Sequence, residues 1–514
     1  MSQGLLPFEY VQETRRAGST ALAGMPLYLE LACATGLWAS VRERVRVCSE
    51  EQGWTDEQVT LALVMLNLAG GDCVDDLRIL ESDDGFCRAW RMAEGRHLKP
   101  SERQDEAKRF RKSRTRTLPS PSAVFRYLEG FADEAEEGKR GPGKAFIPTP
   151  TEPLRALGAV NAQLVGRLQE GSRERRATLD MDATLIETYK QDALPSYKGY
   201  RAYQPMNVYW AEQEVVLHSE FRDGNVPAGH EQLRVLKEAL EKLPDGVERV
   251  RLRSDTAGYQ WDLLRYCARG ESERFGRIGF AVGCDVTPTF RRAVLQVPQE
   301  KWRPVQHVVA DVPLPSAREW AEVCFVPQDA ALKRDDPVYR FIAVREALPQ
   351  PSLPGADCSA SAAGAQLELP FQTVEVGECT YKLFGLVTNL TWDGGEIVRW
   401  LNGRCGKSEE VHAVQKNDLA GGTLPSGSFG ENAAWWQIMV LAYNLNVILK
   451  RLVLGEQWRT KRMKAVRFGL LNLPGSFVMH ANRTWLKVSA DPQTFSTLVA
   501  ARGKIAALAR RSPG

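Results

Sequence analysis

The chain has 514 residues, too many for one hydrophobic core of ordinary size, so several domains are expected. Its 67 basic and 64 acidic residues leave a net charge of only +3, which excludes a polyanion binder that works through a global positive field and leaves local patches to do so. Ten cysteines without a CxxC or a Cys/His cluster exclude a zinc module and, at this length, a disulfide framework.

The opening stretch, MSQGLLPFEYVQETRRAG, lacks the basic-then-apolar pattern of a secretion signal, so a cytoplasmic setting is expected. Residues 1–145 read as a helical region. Apolar positions recur at helical spacing over Leu27 to Val47, and TLALVMLNLAGG from Thr60 predicts a buried helix closed by Gly70 and Gly71. A basic run follows, with Lys108, Arg109, Arg111, Lys112, Arg114 and Arg116 within KRFRKSRTRT. It leads into LPSPSAVFRYLEGF, where Pro119 and Pro121 exclude helix until Ser120 or Ser122 caps a new one running to about Phe131. A basic arm ahead of a capped amphipathic helix suits a helix-turn-helix reader of DNA, the arm for phosphates and the helix start for base edges; a solvated charged face is the alternative. Asp133 to Lys144, charged and broken by Gly and Pro, reads as a linker.

Residues 146–286 carry a regular order. A short helix in PTPTEPLRALGAVNAQLVGRL precedes the strand RATLDMDATLIE, whose Asp180 and Asp182 stand two apart and therefore on one face. Paired acids on a β-branched strand require a positive charge, such as a metal ion, if they are buried, and water if they are not. Two strands follow in QPMNVYWAEQEVVLHSEFRDGN, turning near Glu212 and Gln213. Then come a helix from Glu231 to Leu243, the strand VERVRLRSD ending in Asp255, a helix from about Tyr259 to Arg269, and the strand IGFAVGCDV. Three strands in a meander, then helix, strand, helix and strand, is the order of an RNase H-like fold, an α/β class with a mixed sheet flanked by helices. In that order the first and fourth strands are neighbours, and Asp182 would meet Asp255 at the end of the sheet.

Residues 287–380 interrupt this order with short runs rich in Val, Phe, Tyr and Trp, an inserted and mostly β element that includes the loop PQPSLPGADCSASAAGAQ. The core resumes over 381–455, beginning with the strand TYKLFGLVTNL. The apolar stretch AAWWQIMVLAYNLNVIL is interrupted by Gln437, Asn444 and Asn446 and reads as a buried core helix, with no membrane partner. In WLNGRCGKSEEVHAVQKNDLAGG, Ser408 is placed to cap a helix beginning with Glu409 and Glu410. Along it Glu409, His412, Ala413 and Lys416 share a face opposite Val411 and Val414. An acid and a lysine two turns apart on the polar face can act on a ligand, although acids at a helix start are also ordinary. Residues 456–514 are basic, with EQWRTKRMKAVRFGLLNLPG helical and NRTWLKV a short strand.

These motifs together resemble the DDE transposases of bacterial insertion sequences, in the group with a β insertion before the catalytic glutamate. The resemblance rests on LDMDAT around Asp182, RLRSDTAGY around Asp255, FRDGN at Phe221 to Asn225, and Glu409 followed by Lys416. It covers about Arg176 to Leu452, and LNLAGGDCVDDL and LPSPSAV in the N-terminal region are also similar to that group. The resemblance implies an RNase H-like catalytic core and an α-helical DNA-binding N-terminal region. It implies a nucleoid-associated enzyme that binds the terminal inverted repeats of its element, cleaves them, and joins the freed 3′ hydroxyl to target DNA, as a homodimer in the DNA complex. Asp182, Asp255 and Glu409 would be catalytic and would hold two Mg²⁺ ions, with Mn²⁺ as a substitute. Lys416 would hold a phosphate near the cleaved bond, with Lys198 and Arg253 as weaker basic candidates. The sequence departs from the group at its Tyr-x2-Arg landmark: Arg404 stands one residue too far from Glu409 and no tyrosine precedes it, so Glu410 rivals Glu409 as Asp180 rivals Asp182. The competing functions are a catalytically inactive, transposase-derived DNA-binding repressor and an RNase H-like nuclease without strand transfer.

Overall fold

The computed structural model describes residues 18–511 apart from 50, 97, 111–113, 310–311, 328–336, 338, 349–371, 377–378 and 482. A mixed sheet of ten strands, flanked by helices, dominates the chain. Its first five strands are β1 (Arg176–Ala183), β2 (Met206–Trp210), β3 (Val215–Glu220), β4 (Arg249–Ser254) and β5 (Gly279–Cys284). They lie in the order β3-β2-β1-β4-β5. The meander β1-β2-β3 is antiparallel, as short turns require, and Glu214 takes the left-handed φ of 61° at the β2–β3 turn. The helices Gln232–Lys242 and Trp261–Arg269 act as crossovers, so β4 and β5 run parallel to β1 and to each other. Pairing of β1 with β4 runs as far as Met181 opposite Ser254. One step further along each chain, Asp182, still paired with Asn207 of β2, and Asp255, just past the end of β4, stand side by side.

The β-rich segment after β5 does not stand apart from this sheet. The strands β6 (Arg303–Val309), β7 (Val312–Val323), β8 (Arg340–Ala347), β9 (Thr373–Val376) and β10 (Cys379–Thr388) extend it, with β10 antiparallel to β5 and the order continuing β10-β8-β7-β6. The loop PQPSLPGADCSASAAGAQ lies outside the described residues.

The apolar stretch expected as a core helix is the helix α3 (Phe429–Ile448), which is long and apolar enough to cross a membrane but is mostly buried inside the protein. It packs against α1 (Asp56–Ala69) from the N-terminal region, α2 (Glu152–Ser172), and the edge strand β3. The helix α1 begins with a Thr55/Gln58 capping box and ends at Gly70 with φ 106°, one residue before the expected pair of glycines is complete. Buried amides in α3 find partners: Asn444 exchanges bonds with both backbone groups of Val216 and donates to Asn161 on α2 at 2.6 Å. One continuous apolar core takes in residues from Met25 to Ile505, and every expected segment contributes to it.

Three local expectations are corrected. The helix before β1 is not short but 21 residues long, because its apolar face is buried against α3 and β3. The stretch Asp133 to Lys144 does not hang free as a linker. Glu137 accepts from the first amides of α3, at Phe429 and Gly430, Arg140 grips the buried Asp223 with two bonds of 2.7 Å, and Asn225 donates to the carbonyls of Gly141 and Lys144. The chain's C-terminal part, beyond its expected basic helix and strand, adds a helix, Pro492–Arg511, packed on Pro26–Ala34.

Candidate active site

Asp180 and Asp182 share a face of β1 but have different surroundings. Asp180 is buried, and Arg253 on β4 donates to both of its oxygens at 2.6 and 2.7 Å. The same guanidinium donates to the carbonyl of Trp400 at 2.7 Å and stacks 5.3 Å from that ring. Asp180 is thus committed to an internal ion pair, and so is Arg253, one of the basic candidates. Asp182 lies at the strand's exposed end, opposite Asn207 of β2.

The positive charge beside Asp182 comes from Arg404. Its Nη2 lies 3.0 Å from one oxygen of Asp182 and 3.7 Å from Asp255, although Arg404 is itself mostly buried. Burial pushes the Asp182 carboxyl up to about 6; Arg404 opposes that shift, and Asp255 and Asp180 add to it. Asp255 follows β4 directly and accepts from the Ala257 amide at 3.0 Å, which fixes the turn Thr256–Gly258. A close approach holds that turn to the sheet, since a Cβ on Gly258 would meet the Ser254 side chain at 2.5 Å.

The third carboxylate was expected on a helix capped by Ser408. The helix there instead spans Lys407–Ala413, with Gly406 at φ 81° before it and Ser408 buried in its first turn. A π turn, Val414–Asp418, continues it. Val411 and Val414 are buried, as the pattern predicts. On the other face His412 comes within 4.0 Å of Asp182, and Lys416 donates to the Leu185 carbonyl at 3.3 Å, just beyond β1. Burial first, then Lys416 and Arg404, push His412 down to about 4, so it is neutral near pH 7. Glu409 and Glu410 are both exposed, and Glu410 lies 3.7 Å from Lys407. A buried chain of bonds fixes this helix to the sheet: Gln415 accepts from Asn207, which accepts from Ser219, which accepts from Trp436 of α3.

Two carboxylates directed at one guanidinium nitrogen form an oxygen-rich, negative donor set of the kind a hard divalent cation takes. Glu409 does not stand within the same cluster. Among the described residues the one trio of potential ligands within 4.8 Å of one another is Asp72, Cys73 and Asp76, in a surface turn of the N-terminal region where Asp76 already accepts from the amides of Asp72 and Cys73.

The predicted DNA contacts divide. Lys108 is exposed and paired with Asp105 at 2.9 Å. Arg109 donates to the carbonyls of Gly53 and Ser49. Arg114 is turned inward, bidentate to Glu94 at 2.8 and 2.6 Å and stacked near Trp54 and Phe110. Arg116 donates to the Leu118 carbonyl. Arg111 and Lys112 lie outside the described residues. The following helix is Pro121–Glu129, capped by Ser120 through the Ala123 amide. Sequence reasoning missed Arg404 as a partner of the aspartates, treating it only as a displaced landmark; its position between two glycines, Gly403 and Gly406, was the available signal of a tight turn. It had no signal at all for Asn207 and Gln415.

No curated protein matches the chain. Among solved structures, the chain is similar to a piggyBac transposase in a synaptic complex with hairpin DNA, at 12% identity and a TM-score of 0.35, over 88% of this chain and 81% of that one. The sequence model of the family described as transposase DDE domain, group 1, matches residues 18–328 and 367–510, so the chain belongs to that family of transposases.

Proposed function

We propose that the chain binds the terminal inverted repeats of a mobile element and catalyses their cleavage and transfer into target DNA, with an RNase H-like core formed by β1 to β5. The observation that carries this reading is the convergence of Asp182 and Asp255, from adjacent parallel strands, on a single cationic nitrogen. Asp182, Asp255 and Glu409 would hold two Mg²⁺ ions, or Mn²⁺ in their place; when bound, these supply Lewis-acid activation of the attacking oxygen and stabilise the leaving one. Glu409 is the third member rather than Glu410 because it is one turn before His412, on the flank that meets Asp182, whereas Glu410 pairs with Lys407.

Arg404 offsets part of the negative charge of the two aspartates when no divalent ion does, which weakens the like-charge repulsion between the strand ends. Lys416, anchored at the end of β1, holds a phosphate of the bound strand beside Asp182. His412, neutral near pH 7, stands beside Asp182 without adding a positive charge that would repel a cation there. In the first step a water oxygen bonds to phosphorus and the bond to the 3′ oxygen breaks, leaving a 3′ hydroxyl. In the second that hydroxyl bonds to a target phosphorus and displaces the target's own 3′ oxygen. The substrate is double-stranded DNA, and two copies of the chain hold two ends in a cytoplasmic, nucleoid-associated complex.

The test is to incubate the full chain with Mg²⁺ or Mn²⁺, linear DNA carrying its own terminal repeats, and a target plasmid. The reading expects 3′ hydroxyl ends at the repeat boundary and joined products. Binding without cleavage would make the chain a repressor, and cleavage without regard to the repeats would make it a nuclease.

A further inference from the structure

Between β1 and β2 the chain makes an excursion that the core fold does not need. Ile186–Glu187 pairs antiparallel with Ala202–Tyr203, and the residues between them form a braced hairpin. Within it the Thr188 amide donates to Arg201, the Ser196 amide and hydroxyl both donate to the Tyr200 carbonyl at 2.8 Å, and Gly199 turns at φ 86°. Its outer side is tied down as well: Lys190 donates to the Pro425 carbonyl at 3.3 Å, and Arg140 to that of Asp192 at 2.9 Å.

This rigid hairpin holds two tyrosine rings in water. Tyr189 is 94% exposed and Tyr197 76% exposed. An ordered loop that leaves aromatic rings unburied forgoes their apolar burial, and such rings mark contact surfaces more often than scattered aliphatic residues do. Lys198 places its ammonium 5.9 Å from the Tyr197 ring. The hairpin's root is at the candidate active site. Leu185, whose carbonyl receives Lys416, is three residues beyond Asp182, and Lys198 is near enough to help burial lower the Lys416 ammonium. At full extension Tyr189 stands within about 25 Å of Asp182, a span of a few nucleotides.

Rings with open faces, interleaved with lysine and fixed on a stiff support, are the combination that binds unpaired nucleotides: bases stack on the rings and ammonium groups meet the phosphates. A base inside a duplex has no free face to offer. We propose that the Thr188–Arg201 hairpin is a stacking platform for single-stranded DNA, on which Tyr189 and Tyr197 hold unpaired bases of the processed end while Lys198 meets their phosphate backbone. The proposal rests on the reading of the chain as a transposase, because that reading supplies DNA strands parted at Asp182.

The experiment uses the full chain without divalent metal and two probes, a blunt hairpin duplex carrying the terminal repeat and the same duplex with a short oligo-dT tail, compared by fluorescence anisotropy at one salt concentration. The wild type is expected to prefer the tailed probe, and Tyr189→Ala with Tyr197→Ala to lower that preference by roughly tenfold per ring, to near unity. Tyr189→Phe with Tyr197→Phe should restore the preference, since the ring and not the hydroxyl is used. A 2-aminopurine placed in the tail should be quenched by the wild type and by the Phe variant only. Both positions are on the surface, so the thermal midpoint of each variant should match the wild type. A preference that survives the Ala variant, or its absence from the wild type, overturns the platform. Failure of the wild type to bind either probe overturns the transposase reading beneath it.

Discussion

The ion pair between Asp180 and Arg253 sets Asp180 apart from Asp182, and it makes a quantitative prediction. Arg253→Met keeps most of the side chain's length and apolar volume but removes two bonds to Asp180 and one to the Trp400 carbonyl. Both partners are nearly excluded from water, with side chains 8% and 1% exposed, so the carboxyl is left with neither solvent nor cation. Removing one member of a buried pair costs about 3 to 5 kcal/mol, much of it from the stranded charge. Replacing both, as Arg253→Met with Asp180→Asn, removes that charge and should recover about half of the loss, so the double variant loses clearly less than the sum of the two singles. Urea unfolding followed by tryptophan fluorescence measures both quantities, with Trp400 as a reporter beside the pair. A single variant within about 1 kcal/mol of wild type, or a double variant whose loss is the sum of the singles, would refute the assignment of Asp180 to the internal pair.

The basic run offers a contrast between neighbours. Arg114→Ala should cost about 2 to 4 kcal/mol of stability, because its pair with Glu94 and its stacking on Trp54 and Phe110 are largely buried, as thermal unfolding will register. Lys108→Ala should leave stability within about 0.5 kcal/mol and, if Lys108 meets a phosphate, lower the salt slope of DNA binding by about 0.9. Glu106 gives a pH dependence: burial, then Glu94 and Glu57, push it up to about 7, so it folds most readily when protonated. Its contribution is present below the ordinary carboxyl range and is lost as pH rises through about 7. Glu106→Gln should therefore be more stable than wild type at pH 8, by about 1 to 2 kcal/mol after allowance for solvent screening, and no more stable at pH 4, by denaturation midpoints at the two pH values.

The sheet's first five strands were legible because each is a short run bounded by turn residues, and the helices between them carry apolar stripes at helical spacing. Asp182 and Asp255 could be placed together from strand order alone, since each ends its own strand. What the sequence hid was long-range pairing. The β-rich segment could be recognised as strands and TYKLFGLVTNL as the strand that resumes the core, but nothing local says that β8, β7 and β6 continue the same sheet beyond β10. The expected linker was polar and Gly/Pro-punctuated, yet its charges are consumed by distant partners: Glu137 by the start of α3 and Arg140 by Asp223. Arg404 was discounted on spacing, although a guanidinium reaches across a turn and its distance to Asp182 is set by the fold, not by its count of residues from Glu409. The π turn at Val414–Asp418 is similarly invisible to a pattern of regular helical period, and it sets the position of Lys416.

The most direct measurement is cleavage of repeat-bearing DNA in Mg²⁺ by five variants: Asp182→Asn, Asp255→Asn, Glu409→Gln, Asp180→Asn and Glu410→Gln. Each keeps side-chain shape while removing a charged carboxylate, a proposed metal ligand in the first three only. The account expects the first three to lose cleavage by several orders of magnitude, with DNA binding retained, and Glu410→Gln to cleave as wild type does. Asp180→Asn should lose stability first, with cleavage falling only as far as the folded fraction does. Loss of cleavage in Glu410→Gln with activity kept in Glu409→Gln would contradict the assignment of the third acid. Undiminished cleavage in all five would contradict the active site itself.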